Sequence, residues 1–457
     1  MIYLFSVNNT SLTETRHSSI WIIRQFLEDN SVKSKCYDYW FKLYDSLDPT
    51  YVREIPDMPN FVKTIENYKT GRGLTKGLDL NDVDSNIILE ILNDIDKIDL
   101  RDNDIIGFSI TNVSYFYLAI SALYIKTINS NVKTVFGGYH VSLSKNLLQI
   151  FLDNGIADVM VIDDGCQPML DISKGLVTSG IITGEFKETI SWPKLSRIDS
   201  YLSKGHIATV TSFGCPFNCT FCASKRPYVN CDVDEFSQYL ELMCNVGFKY
   251  LEVNDDNFNS NLDRAMDFTD VIRKSNISTW SVWAHPSRIT KEWTRELKRS
   301  QCDKVYLGVE SFSPKVLELA NKAKDQSPDD GIKAIENLVE QGIVAMVGLI
   351  VGMPGETDEE FNKTLTMAKQ INHKYNKLVS INPVMFKIYP NSDHYINPDK
   401  YGIKFSNWDE IDIPKSFEME GISHDSVTNR MTQLQTECKS RVGELLYSIG
   451  DEMKIIK

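Results

Sequence analysis

Residues 206–225 read His-Ile-Ala-Thr-Val-Thr-Ser-Phe-Gly-Cys-Pro-Phe-Asn-Cys-Thr-Phe-Cys-Ala-Ser-Lys. The first nine (206–214) are apolar and β-branched enough to predict a strand, and the rest form a loop at its carboxyl end. That loop carries Cys215, Cys219 and Cys222 in the spacing C-x3-C-x2-C. Three thiolates on one short loop can ligate three irons of a cubane cluster, leaving the fourth iron without a protein ligand. An open iron can bind a chelating molecule and pass it an electron. A structural zinc is the competing reading. Zinc wants four closed ligands, usually two C-x2-C knuckles. No second knuckle follows, and Cys231, nine residues on, is the nearby thiol that would have to complete the set.

Outward toward the carboxyl terminus, strand and helix patterns alternate. A helix near 233–246 precedes the strand 249–255, a helix at 260–275 the strand 279–286, and a helix at 290–301 the strand 304–311. Helical segments then run to 341, followed by the strand 344–352, a helix at 357–372 and a sixth strand at 379–390. Six such units predict a partial (βα)6 barrel, with ligands at the carboxyl ends of the strands. The region 391–457 is polar, with a helix near 427–447, and reads as a small, mostly helical C-terminal region.

Toward the amino terminus a separate series is legible. Strands at 1–7, 32–39, 104–111, 132–138 and 158–163 alternate with helices at 17–30, 85–95, 115–128 and 144–155. Apolar strands separated by helices indicate a parallel sheet covered on both faces, a doubly wound Rossmann- or flavodoxin-like α/β domain. Residues 40–100 are polar and Pro-bearing and resist reading beyond the helix at 85–95. The expected division is therefore 1–190, 200–390 and 391–457.

The net charge of −13 over 457 residues argues against a protein that wraps a nucleic-acid backbone, which needs clustered Lys and Arg. The opening residues lack a basic lead and a cleavage site, and their apolar run is too short to span a membrane. Nine cysteines without a leader suit a reducing compartment, so a cytoplasmic protein without membrane association is expected.

C-x3-C-x-aromatic-C, with Phe221 as the aromatic, resembles the signature of the radical S-adenosylmethionine (SAM) superfamily. Three later segments resemble that family's SAM-binding motifs: Val253–Asp256 after the second barrel strand, Gly308–Ser311 at the end of the fourth, and Val347–Thr357 with Gly348 and Gly352 on the fifth. The resemblance spans about 200–390. It implies a [4Fe–4S] cluster on Cys215, Cys219 and Cys222, and SAM positioned by Phe221, Asp255, Asp256, Glu310, Ser311, Gly348 and Gly352. It also implies SAM cleavage to a 5′-deoxyadenosyl radical, with an external flavodoxin- or ferredoxin-type electron donor. Asp255, Asp256 and Glu310 stand out independently, because strand-end carboxylates are costly unless partnered.

The first domain is similar to the cobalamin-binding domain that precedes many radical SAM domains. The matching segments are 104–109, 133–140 and 157–162. The resemblance places a corrin on the strand-end loops 112–115 and 137–140, with Asn112, Ser114, Gly137, Gly138 and His140 as contacts. Gly137 and Gly138 would admit a flat ligand close to the backbone. Two features depart from that family. The D-x-H-x-x-G motif that gives cobalt a histidine is absent, His17 and His140 being the only histidines before 200, and the segment after the fifth strand reads Asp163-Asp-Gly-Cys-Gln167. Methylthiotransferases, a related family, carry three cysteines before the radical SAM domain; only Cys36 and Cys166 occur here.

These resemblances imply a cobalamin-dependent radical SAM methyltransferase acting on an unactivated carbon of a small metabolite, natural-product intermediate or peptide. A radical rearrangement, cyclisation, epimerisation or oxidation without methylation is the alternative. A non-catalytic cobalamin or cluster sensor is a third. Among other residues, Cys231 and Cys438 read as buried thiols or as hydrogen donors, Cys244 and Cys302 as core thiols, Trp280 and Trp283 as barrel filling, and Tyr389 and His394 as surface or loop packing, with cavity lining the alternative.

Overall fold

The computed structural model describes residues 1–10, 19–42, 58–80, 82–111, 114–143, 145–187, 206–245, 247–405 and 417–439. These fall into two compact units, the first within 1–206 and the second from 207 onward.

The first unit runs β1 (Ile2–Thr10), α1 (Ser19–Asp29), β2 (Ser34–Lys42), α2 (Met58–Lys69), α3 (Asp82–Ile95), β3 (Ile105–Ser109), α4 (Tyr115–Ile128), β4 (Lys133–Gly137), α5 (Tyr139–Leu143), α6 (Lys145–Asp153), β5 (Val159–Asp163), α7 (Cys166–Ser173) and β6 (Gly180–Gly184). Its strands form one sheet in the order β2-β1-β3-β4-β5-β6, every pair parallel. The order turns back between β1 and β3, the switch point at which doubly wound sheets bind ligands. Both faces of the central strands are covered, so Ile105–Phe108 are all buried and the strand reads as an unbroken apolar run. Helix α4 is apolar on every side and lies in this core, with Tyr115–Ala119 all fully buried. Besides α2 and the short α5, two elements escaped the sequence reading. Strand β6 is a half-exposed stretch framed by two glycines, and α7 starts behind the Asp-Asp-Gly turn with Pro168 inside its first turn.

The second unit contains β7 (His206–Thr209), β8 (Ser212–Phe213), β9 (Val229–Asn230), α8 (Val233–Asn245), β10 (Tyr250–Val253), α9 (Leu262–Lys274), β11 (Thr279–Ala284), α10 (Lys291–Arg299), β12 (Cys302–Glu310), α11 (Pro314–Leu319), α12 (Pro328–Glu340), β13 (Val344–Val351), α13 (Asp358–Tyr375), β14 (Val379–Met385), α14 (Asp393–Ile396), β15 (Ile403–Phe405), β16 (Phe417–Met419) and α15 (His424–Glu437). Six strands pair in sequential order, β7-β10-β11-β12-β13-β14, the arrangement of an open (βα)6 barrel. In β12, Val305, Leu307 and Val309 are buried under the helices, while Lys304, Tyr306, Gly308 and Glu310 alternate onto the other face. The registers set Trp283 beside Tyr306 and Tyr306 beside Met346, and one layer higher Gly308 beside Gly348 and Gly348 beside Asn382.

The expected strand at 206–214 is divided. β7 stops at Thr209, and Ser212–Phe213 pair instead with β9 in an antiparallel ribbon. The cause is Asp255, whose Oδ1 accepts the backbone N–H of both Thr211 (2.5 Å) and Ser212 (3.1 Å), taking donors a continuing strand would need. No helix among the described residues is long and apolar enough to cross a membrane.

Candidate active site at the cysteine loop

The loop 214–227 leaves the barrel mouth through Gly214, at φ +70°. A Cβ there would stand 2.3 Å from the Pro227 carbonyl oxygen, so only glycine fits. The loop is then clamped from two sides. Thr220 donates its N–H to Ala320 O (3.1 Å) and its hydroxyl to Leu319 O (3.1 Å), and Asn321 Nδ2 donates to Asn218 O (2.7 Å). From beyond β14, Asn391 Nδ2 donates to Ala223 O (3.2 Å) and Asp393 N–H to Thr220 O (3.0 Å). Cys215, Cys219 and Cys222 are thereby held in place as free, partly buried thiols.

Burial pushes all three thiols up, Cys219 to about 12, and Cys222 adds to the burden on both Cys215 and Cys219. Buried thiolates so close together need a cationic partner. Among the described residues no three His, Cys, Asp or Glu side chains converge on the position of a single metal ion. Thiolates that each take a different iron stand further apart than thiolates sharing one ion. Thiols near enough to interact yet not converging are therefore compatible with a cluster. The residues fit the group: soft, buried sulfur donors of the number a three-ligand cubane requires. Cys231, the fourth ligand a zinc site would need, is buried with its thiol pushed up, and its N–H binds Thr211 O at 2.9 Å.

Each predicted SAM-binding residue has a definite place. Phe221 packs on the apolar cluster of Val316, Ala320, Met353, Phe386 and Ile388. Glu310 ends β12 in the left-handed region (φ +64°), just past a register shift between β12 and β13. A non-glycine residue held there marks a constrained position. Its carboxylate pairs with Lys322 Nζ at 3.0 Å, and Lys322 also donates to Gly308 O at 2.6 Å. Asp256 accepts the Ser224 hydroxyl at 2.8 Å, tying the end of β10 to the cysteine loop. A Cβ on Gly348 would meet Leu307 O at 3.2 Å.

In three others the side chain, or the space a side chain would fill, is taken up by the protein itself. Asp255 is buried and accepts from the backbone and hydroxyls of Thr211 and Ser212, with Arg264 Nη2 at 3.3 Å. Ser311 shares a 2.6 Å hydrogen bond with Thr364 and accepts Ser313 N–H. A Cβ on Gly352 would stand 2.7 Å from Val427 of α15, so the bare backbone here admits the approach of that helix. Behind it, Glu356 accepts Gly352 N–H (2.7 Å) and pairs with Arg430 (3.0 Å), fixing the turn after β13 to α15.

Of the remaining residues singled out, Trp280 is buried outside the barrel against Ser300 Oγ, while Trp283 is half exposed and stacks on Tyr306 at 4.3 Å. Cys244, Cys302 and Cys438 are buried. His394 packs edge-on against Phe386, and Tyr389 is exposed. Sequence reading missed Lys322, Arg264, Asn257 and His285. The last follows β11 directly, and the rule that barrel strand ends carry function could have found it.

In the first unit, Gly138 (φ +104°) lies against the backbone of Ile110, whose oxygen a Cβ would approach to 2.6 Å. Its missing side chain thus makes room for the neighbouring backbone. Ser114 is also internal: fully buried, its hydroxyl accepts Thr111 N–H at 2.8 Å. A Cβ on Gly137 would make only ordinary contact with Val161. Asn112 lies outside the described residues, and His140 is placed by its backbone, in α5.

Residues 209–368 match the family model of the Radical SAM superfamily. The second unit therefore carries a radical SAM domain, the mark of an enzyme, and that family implies a [4Fe–4S] cluster and SAM. An uncharacterized methyltransferase of Pyrococcus horikoshii is 28% identical over 323 residues, covering 64% of this chain and 70% of that protein. A tRNA-2-methylthio-N(6)-dimethylallyladenosine synthase of Clostridium tetani is 25% identical over 178 residues, 35% of this chain and 38% of the synthase. Among solved structures, the radical SAM methyltransferase TsrM of Kitasatospora setae, with cobalamin and a [4Fe–4S] cluster bound, superposes with TM-score 0.61 at 13% identity over 88% of this chain and 77% of its own. The cobalamin-dependent radical SAM enzyme OxsB with aqua-cobalamin gives 0.62 at 16% identity, over 94% of this chain and 66% of its own. At such identities the likeness establishes the fold.

Proposed function

We propose that this protein is a cobalamin-dependent radical SAM methyltransferase that methylates an unactivated carbon of a small metabolite, natural-product intermediate or peptide. One observation carries the reading. The likeness to TsrM and OxsB, both solved with cobalamin, runs over 88% and 94% of this chain and so takes in both units.

Cys215, Cys219 and Cys222 would hold the cluster, and Asp256, Glu310 and Gly348 would border SAM beside it. When bound, the cluster supplies the electron that cleaves SAM, and the corrin supplies a methyl carrier. The chain contributes placement. Asp255 and Arg264 fix the start of the cysteine loop, Ser311 braces the end of β12, and the Glu356–Arg430 pair holds the turn at Gly352. Phe221, on its apolar bed, excludes water from one side of the loop. The corrin would rest on the loops 112–115 and 137–140, and a flavodoxin- or ferredoxin-type donor would supply electrons. A net charge of −13 favours a small or peptide substrate over a nucleic acid.

The radical outcome without methylation keeps one observation in its favour: Ser114 and Gly138 are both committed to internal contacts. Product analysis separates the two. Methylation by this route uses one SAM as methyl source and one as radical source, so S-adenosylhomocysteine and 5′-deoxyadenosine should form in about equal amounts, each matching the methylated product. Deoxyadenosine alone, with an unmethylated product, selects the second reading.

A further inference from the structure

His285 follows β11 and is only 6% exposed. Its backbone is pinned by the loop after β10: its N–H donates to Asn257 Oδ1 (3.1 Å) and Asn259 Oδ1 (2.7 Å), and its carbonyl accepts Asn259 Nδ2 (3.0 Å). The imidazole stacks on Phe217, between Cys215 and Cys219, at 4.3 Å and 26°. Nδ1 is satisfied by the Ser287 hydroxyl at 2.9 Å. Nε2 is buried and has no hydrogen-bond partner. Burying such an atom unpaired is costly, and a fold that does so at a strand end beside a cofactor loop is holding a place for a ligand atom.

The surroundings indicate which atom. Ala284 pairs in register with Leu307, which brings His285 level with Gly308 and the Lys322 ammonium bound to it. Burial, Lys322 and Arg288 together push the imidazole down to about 3, so the ring is neutral and faces a positive field. The contact between Nδ1 and the Ser287 hydroxyl is open to either tautomer, and in the one where the hydroxyl donates to Nδ1 the ring proton resides on Nε2. A donor in a positive field beside a cluster loop suits a carboxylate oxygen.

We propose that His285 is a positioning residue that donates from Nε2 to the carboxylate of SAM at the cysteine loop. This rests on the radical SAM reading of the site and extends it to a strand that none of the SAM-binding motifs includes.

The test uses full-length protein, anaerobically reconstituted, with iron and sulfide counted and the SAM dissociation constant measured by equilibrium ultrafiltration. His285→Phe keeps the stack on Phe217 and removes the donor, whereas His285→Gln returns an N–H close to the position of Nε2. The expected result is an unchanged cluster content in both variants. SAM binding should be about tenfold to a hundredfold weaker in His285→Phe, the range lost with a hydrogen bond to a charged group, and largely restored in His285→Gln. Equal SAM affinity in wild type and His285→Phe, with the cluster intact, overturns the proposal. So does an effect confined to the reduction potential of the cluster, which would make the cluster sulfur the acceptor. If His285→Phe fails to fold, His285→Asn, whose amide reaches only the Nδ1 position, must weaken SAM where His285→Gln does not, and equal binding by these two overturns the assignment. Failure of the broader reading looks different, as wild-type protein would then hold no cluster and bind no SAM.

Discussion

The strand ends of the two units differ in their use of polar and small residues: both turn some inward, Asp255, Ser311 and Gly352 in the barrel among them, but the barrel also keeps titratable groups at the site. In the barrel, the carboxyl ends of β10, β11 and β12 carry Asp256, His285 and Glu310, held by the cysteine loop, by Phe217 and by Lys322. In the doubly wound unit, the strand-end residues that drew attention turn inward: Ser114 to Thr111 and Gly138 to Ile110. The contrast follows from the ligands proposed. A metal cluster is held by side-chain sulfur, so its ligands must appear as residue types at fixed spacing. A large planar ligand can be accommodated by backbone and shape, which leaves little residue-specific trace.

The comparison can be broken by substitution. Asp255→Ala should have the largest effect. It strands the buried Arg264 and frees the N–H groups of Thr211 and Ser212, costing about 3–5 kcal/mol. Urea denaturation should register that loss, together with a fall in bound iron. Normal stability with normal SAM dependence lost would instead make Asp255 a ligand contact. Gly352→Ala should cost about 1–3 kcal/mol through its collision with Val427 and its positive φ. Because much of that is the collision, Val427→Ala should recover part of it in the double variant. An absence of recovery, with SAM affinity lost, would return Gly352 to the ligand. Ser114→Ala should have the smallest effect, about 1–2 kcal/mol from the two contacts its hydroxyl makes with Thr111, with corrin content unchanged. Loss of corrin at unchanged stability would put the side chain on the ligand and erase the contrast between the units.

The sequence reading was strongest where a local pattern carries its own explanation. The α4 helix is legible at 115–128, as found, because an apolar run fills it, and Asn129 caps its end. The cysteine loop was legible because spacing and residue type coincide. What stayed hidden depends on partners far apart in the chain. Arg430 lies 74 residues from Glu356, and nothing near either announces the pair. Lys322 follows α11 with no pattern of its own, yet it neutralises Glu310 at the site. Asp255 stands out in the sequence as a strand-end carboxylate in need of partners, and those partners are the backbone and hydroxyls of Thr211 and Ser212 together with Arg264. Helix α2 was missed because Pro59 and the polar flanks mask the Phe61 and Ile65 stripe that buries it.

The central claim is that one chain holds both an iron–sulfur cluster and a corrin. The most direct measurement is the iron, sulfide and corrin content of full-length protein prepared anaerobically from a cobalamin-replete host. The account predicts about four irons and four sulfides per chain, with corrin in equimolar amount. Colourless protein with stoichiometric zinc would contradict the cluster, and a full cluster with no corrin at saturating hydroxocobalamin would contradict the methyltransferase.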